Sequence, residues 1–123
     1  MIISGTKLLV ADNSGAKTVE CIGFLGHSTV RWAEVGDIIT VVVKSAIPNG
    51  KVQKAQKYKA VIVRTKAPIR RKDGSILKFD TNAVVLINTK GELIGSRVFG
   101  PVPRNELREK AFLQILSLSE EAR

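Results

Sequence analysis

The chain has 123 residues, 44% of them hydrophobic, and carries 20 Lys and Arg against 11 Asp and Glu, for a formal net charge of +9. This length fits a single domain. The apolar content is that of a packed core and not of a disordered tail, and no apolar run approaches the ~18 residues of a membrane-spanning helix. The charge calls for a polyanionic partner, either nucleic acid or an anionic membrane surface.

Residues 1–5 lack a basic leader and a long apolar stretch, so no signal peptide is expected there. Residues 7–11 read as a first strand. Asp12-Asn13-Ser14-Gly15 follows as a turn, because Asp, Asn and Ser side chains bond nearby backbone and Gly accepts a positive φ. Residues 16–25 read as a second strand. It carries the single cysteine, Cys21, a small core residue by its neighbours Val19, Ile22 and Phe24. Residues 26–36 form a loop with the only His and the only Trp. Residues 37–45 read as a third strand around Val41-Val42-Val43, closed by the turn Ile47-Pro48-Asn49-Gly50. Residues 58–65 give a fourth strand. The turn Asp73-Gly74 then predicts a protruding ribbon between residues 64–72 and 75–79, and residues 83–88 give a fifth strand that ends at Lys90-Gly91.

Short β-branched strands at even spacing, with Gly, Asn and Asp turns, predict an all-β fold, either a sandwich or a small closed barrel. Closure removes the exposed edges of an open sheet. The barrel is expected to occupy about residues 1–100 of one domain spanning 1–123. From 101 the character changes. Pro101 and Pro103 are expected to break any strand, and Asn105 can cap a helix from Glu106 that carries an i,i+4 pair with Lys110. An apolar tail containing Phe112, Leu113, Ile115, Leu116 and Leu118 is expected to pack back on the barrel.

No catalytic or metal-binding constellation stands out. His27 has no second His and no Cys pair at ligand spacing. Asp12, Glu34, Asp37 and Asp80 lie at turns or strand ends, where carboxylates usually bond backbone. Gly23-Phe24-Leu25-Gly26 has the spacing of an RNA-clamping loop but falls in a strand, and Gly50-Lys51 lacks the rest of a phosphate-binding loop. No cofactor and no metal is implied.

The basic residues are more informative. Between Lys44 and Lys78 lie eleven Lys and Arg and one acid, Asp73, a net +10, so the remainder of this +9 chain carries −1. A solubilising coat would mix the signs evenly. A block of Lys and Arg instead neutralises phosphates and releases counterions. Lys44, Lys51, Lys54, Arg64, Lys66, Arg70, Arg71 and Lys72 are therefore the candidate phosphate contacts, with Lys57 and Lys59 flanking the second turn. Aromatics are 5% of the chain, and Phe24, Phe79, Phe99 and Phe112 sit in apolar contexts expected to be core. That leaves Trp32 and Tyr58 for solvent. Structured RNA recognised by backbone and shape is favoured over stacking of single-stranded bases. Membrane binding is disfavoured because the basic block is β and not an amphipathic helix.

Longer motifs then carry a resemblance over essentially the whole chain. Val10-Ala11-Asp12-Asn13-Ser14-Gly15-Ala16-Lys17, Val35-Gly36-Asp37-Ile38-Ile39, Ala60-Val61-Ile62-Val63-Arg64-Thr65-Lys66 and Gly95-Ser96-Arg97-Val98-Phe99-Gly100-Pro101-Val102 resemble, in order, the blocks of the L-fourteen family of large-subunit ribosomal proteins. The resemblance implies a closed five-stranded β-barrel with a projecting hairpin and short C-terminal helices. It implies a non-enzymatic protein that binds large-subunit rRNA, with Lys17 added to the phosphate contacts. It also implies a place at the subunit interface, bridging to small-subunit rRNA. Neighbours implied are the third and nineteenth large-subunit proteins and a ribosome-silencing factor. Ser96, Arg97, Glu106, Arg108, Lys110 and Gln114 are the expected protein and bridge contacts. Asn105 is an extra residue against the family pattern, Gln114 stands where bacterial members often carry Lys, and Ser96 replaces a Thr. The loop at Thr29-Val30 is less basic than the family pattern and Trp32 stands for a Tyr, drift that suits an organellar ribosome, so the expected compartment is a mitochondrial matrix or a bacterial cytoplasm. Two rivals stay open: a free regulatory RNA-binding barrel, distinguished by its failure to sediment with large subunits, and a small enzyme using the barrel mouth.

Overall fold

A computed structural model describes residues 2, 5–24, 33–48, 50–88, 90–103, 115 and 119–122. Nine strands are found among them: β1 (Lys7–Val10), β2 (Ala16–Phe24), β3 (Ile38–Ala46), β4 (Lys57–Arg64), β5 (Ile69–Arg70), β6 (Ile76–Leu77), β7 (Ala83–Ile87), β8 (Val98–Val102) and β9 (Ser119–Ala122). Strands β1, β2, β3, β4 and β7 close into a five-stranded barrel. Successive neighbours are antiparallel, and the ring shuts through a parallel seam in which Leu9 faces Ala83 and Val10 faces Val84. The expected closed barrel and its five strands are present, with ends shifted by a residue or two.

The alternation of side chains explains the closure. In β3, Ile39, Val41 and Val43 are fully buried, while the residues between them are half-buried. Their period of two turns one face inward. Ala60 and Ile62 of β4 and Val84 and Leu86 of β7 share that interior by register and are 0% exposed. Each such Val, Leu or Ile side chain contributes roughly 1.5–3 kcal/mol on burial. Strand β7 is buried on both faces. Residues 93–94 lie along it: Ile94 N–H donates to the Leu86 carbonyl at 3.1 Å, and Leu93 bridges Ile87. A five-residue run without a polar residue therefore fits its place.

At one end of the barrel three turns interlock. Gly15 has φ +106, and a Cβ there would lie 2.7 Å from Gly50 Cα, so only glycine lets the two backbones approach. Ile47 N–H donates to the Gly15 carbonyl and Lys51 N–H to the Ser14 carbonyl. The Asp12 carboxylate, 7% exposed, accepts from Ser14 N–H at 3.1 Å, Ser14 Oγ–H at 2.6 Å and Leu86 N–H at 3.0 Å. The expectation that this carboxylate bonds backbone is met, and one of its partners lies 74 residues away. Asp37 likewise accepts from Glu34 N–H at 2.8 Å. Cys21 is buried, and that burial raises its thiol pKa.

The ribbon is shorter than expected, because only Ile69–Arg70 and Ile76–Leu77 pair. Beyond residue 98 the structure corrects the reading more substantially. Pro101 does not break the strand but lies within β8, which pairs in parallel with β9. Proline has no N–H to give a ladder, and the register shifts between Val98 and Pro101, where that loss can be absorbed. Residues 119–122, expected in a helical segment, are strand. Of the apolar tail expected to pack back, Ile115 is buried at 1% exposed, and Phe112, Leu113, Leu116 and Leu118 lie outside the described residues. The helix expected from Glu106 lies outside the described residues, as do His27 and Trp32. Phe79 is core at 6% exposed, but Phe99 is 41% exposed and is not core.

Candidate nucleic-acid interface

The basic block, continuous in sequence, is divided by the barrel into two regions. The first lies on the outer face of β3 and β4 and the adjoining turn. Lys57 and Lys59, two residues apart on β4, stand opposite Val42 and Thr40 and are exposed. Lys44 extends the same face of β3. Lys17 joins them from β2: it is the extra residue in the register shift between Ala16 and Thr18, and the bulge leaves it exposed. Lys51 and Lys54 are exposed in the loop between the strands. A shallow, mainly apolar groove of about 420 Å³ runs beside them, lined by Thr40, Lys57, Lys59, Ile87 and Ile94.

The second region is the ribbon. It leaves the far end of β4, which by strand rise is roughly 23 Å from Lys57. Arg70 and Lys72 are exposed and Arg71 is half-buried. Arg70 stands opposite Ile76, which is 64% exposed, so the outward face of the ribbon is part cationic and part apolar. The opposite face, with Ile69, packs on the core. The tip is set by Asp73, whose carboxylate accepts from Ser75 N–H at 2.9 Å and Ser75 Oγ–H at 2.6 Å, with Gly74 at φ +91. Those two hydrogen bonds hold the Asp73 carboxyl below its ordinary pKa. The one acid in the block is thereby occupied in forming the turn.

Not every predicted cation is equally free. Arg64 is half-buried, and burial lowers its pKa. Its Nη1 donates to the Phe99 carbonyl at 2.8 Å, and a Cβ on Gly100 would lie 2.5 Å from that nitrogen. Arg64 thus clamps β4 to β8. Lys44 pairs with Glu20 at 3.7 Å, but half of its side chain is exposed, so the pair contributes little stability. Lys51 Nζ donates to the Ile94 carbonyl at 3.3 Å. Lys66 is exposed, and its backbone is held by Asn82.

Ser96 and Arg97 are exposed on a turn that Asn13 organises. Asn13 Oδ1 accepts from Ser96 N–H at 2.7 Å and Arg97 N–H at 3.1 Å, and its amide donates to Ser96 Oγ at 2.9 Å. Gly95 is needed beneath it, since a Cβ there would meet Asn13 Oδ1 at 2.8 Å. Sequence reasoning treated 12–15 and 95–97 as separate motifs and did not see this link. Glu106, Arg108, Lys110 and Gln114 lie outside the described residues. Sequence reasoning also passed over Lys7, an exposed cation on β1 that the fold brings beside Lys66.

Among the described residues no group of three or more His, Cys, Asp and Glu could hold a metal ion. What the surface offers is fixed positive charge on a rigid support. In agreement with that chemistry, a family model described as ribosomal protein L14p/L23e matches residues 1–123.

Proposed function

Since the chain belongs to the ribosomal protein L14p/L23e family, we propose that its two cationic regions hold separate stretches of large-subunit rRNA. Family membership makes it a structural, non-enzymatic constituent of the large ribosomal subunit, one that binds rRNA and works among ribosomal proteins. Arg70, Arg71 and Lys72 on the ribbon, with Lys66 at its base, neutralise phosphates of one RNA segment. Lys17, Lys44, Lys51 and Lys54 neutralise another. Arg64 contributes by fixing β4 against β8. The observation that carries this is the concentration of exposed cations at two ends of a closed barrel, with the acid of the block turned to local hydrogen bonding.

The exposed Ser96–Arg97 turn, with Glu106, Arg108, Lys110 and Gln114 of the C-terminal segment, is assigned to contacts across the subunit interface. Its partners are small-subunit rRNA, the third and nineteenth large-subunit proteins and a ribosome-silencing factor. The reading of the compartment is a ribosome of the mitochondrial matrix or of the bacterial cytoplasm.

The test is sedimentation of a lysate through sucrose at high salt, with the chain quantified by mass spectrometry. One copy per large subunit is the expected result. Arg70→Glu with Arg71→Glu should lower that occupancy several-fold. Unchanged occupancy of the double variant would remove the ribbon from the account, and a chain left at the top of the gradient would favour a free regulatory RNA-binding barrel.

A further inference from the structure

A second groove, of about 210 Å³, opens on the β1 side of the barrel and is lined by Lys7, Leu9, Thr18, Lys66, Thr81 and Asn82. Strand geometry builds its floor. Leu8 is 2% exposed and points into the core, so Lys7 and Leu9 share the outer face. Leu9 stands opposite Thr18 and remains 46% exposed. The far wall comes from the corner after β4 and the corner before β7. There Lys66 N–H donates to Asn82 Oδ1 at 2.8 Å. With that oxygen engaged, the Asn82 amide group is left to donate.

The chemistry of the lining is one-sided. Two ammonium groups, one amide and two hydroxyls surround the groove, and no carboxylate is among its described lining residues. Among the described residues neither Lys7 nor Lys66 forms an ion pair. The nearest acid in register, Glu20, faces Lys7 across β1 and β2 and is paired with Lys44 at 3.7 Å. An exposed leucine beneath donors of one polarity suits an anion that has an apolar shoulder. We infer that this groove seats one sugar–phosphate unit of RNA, the phosphate between Lys7 and Lys66 and the ribose against Leu9. This rests on the RNA-binding reading and adds to it a third contact, centred on a lysine far outside the basic block.

The experiment is filter binding of the full chain to purified large-subunit rRNA across a KCl series, with Lys7→Gln, Lys66→Gln and Leu9→Ser. All three side chains are exposed, so urea midpoints should stay at the parent value and show that folding is intact. Each lysine variant should lower the slope of log K against log salt by about 0.7–0.9. Leu9→Ser should weaken binding about threefold at every salt while leaving the slope unchanged, because no counterion is released by an apolar contact. A parental slope in Lys7→Gln, with the parent, Lys66→Gln and the ribbon variant behaving as proposed, would overturn the groove and spare the broader reading. A parent chain that does not bind rRNA would remove both. Inorganic phosphate titrated into isotope-labelled chain provides the other arm. Saturable shifts at the Thr18 and Asn82 amides, together with an RNA affinity untouched by Leu9→Ser, would reassign the groove to a free phosphate and overturn the sugar–phosphate seat.

Discussion

Asp12 shows how much one side chain can decide. Its carboxylate satisfies two donors of its own turn and the backbone N–H of Leu86, which is fully buried in β7. Asp12→Ala would leave a buried amide without a partner, and an unmet buried donor costs about 1–3 kcal/mol. With the turn lost as well, we expect a loss of about 3 kcal/mol, read as a lower urea midpoint at unchanged m. The sequence shows Asp12 as a turn former because the local pattern is Asp-Asn-Ser-Gly. It cannot show Leu86, since nothing local encodes a partner 74 residues on. Ala55 provides the opposite case. Its φ of 70° lies in the left-handed region, where a Cβ is disfavoured by roughly 1–2 kcal/mol. Ala55 N–H donates to the Val43 carbonyl at 2.8 Å, so the strained backbone is kept for a hydrogen bond at the entry to β4. Ala55→Gly should raise stability by about 1 kcal/mol, somewhat offset by the greater freedom of glycine in the unfolded chain. A lower urea midpoint would refute this account of the turn.

At the scale of elements, strands were legible wherever side chains alternate or β-branched runs end at turn residues. Strands β1 to β4 and β7 follow that rule. The ends of the chain follow other forces. Two prolines argue against a strand at 101–103, yet a parallel partner and a shift in register let Pro101 stand in β8. The pairing of β8 with β9 joins residues about twenty apart across a segment that no turn motif announces. Phe99 reads as core by its neighbours, but its N–H donates to the Ala11 carbonyl, its own carbonyl accepts from Arg64, and the residue is 41% exposed. The ribbon was legible from Asp73-Gly74, and its tip has a pH signature. Hydrogen bonds from Ser75 favour the ionised Asp73 carboxyl in the folded state. A depressed carboxyl pKa means the contribution of the turn is full above the ordinary Asp value and is lost as pH falls through the folded one. The NMR titration midpoint of Asp73 should therefore lie below 3.8. In Ser75→Ala it should move back toward that value. A midpoint unmoved by Ser75→Ala would mean that the backbone N–H of residue 75 and nearby positive charge, rather than the Ser75 hydroxyl, set it.

For the whole molecule, the informative quantity is where the charge sits once the barrel has closed. A single basic block in sequence becomes two regions because β4 carries the chain from one end of the barrel to the other. The sequence gives the total and the sign; it does not give the separation, which depends on closure. Two patches at the two ends of β4, a strand that spans roughly 23 Å, make a quantitative claim about binding. Lys and Arg that touch phosphates each release counterions, so log K should fall with log salt in proportion to their number. Charge removal at the ribbon, by Arg70→Gln with Lys72→Gln, and at the barrel face, by Lys17→Gln with Lys54→Gln, should each lower that slope by about 1.4–1.8. The pairs lie at opposite ends of β4 and share no side-chain partner among the described residues, so their free-energy effects should add within about 0.5 kcal/mol when the four changes are combined. Filter binding to purified large-subunit rRNA across a KCl series measures both quantities. Additive losses with additive slopes mean that one folded RNA engages both ends of the barrel at once. If removal of either pair alone has little effect and only the combined change weakens binding, the two regions take turns at a single RNA site, and the barrel is not the rigid spacer that its geometry implies.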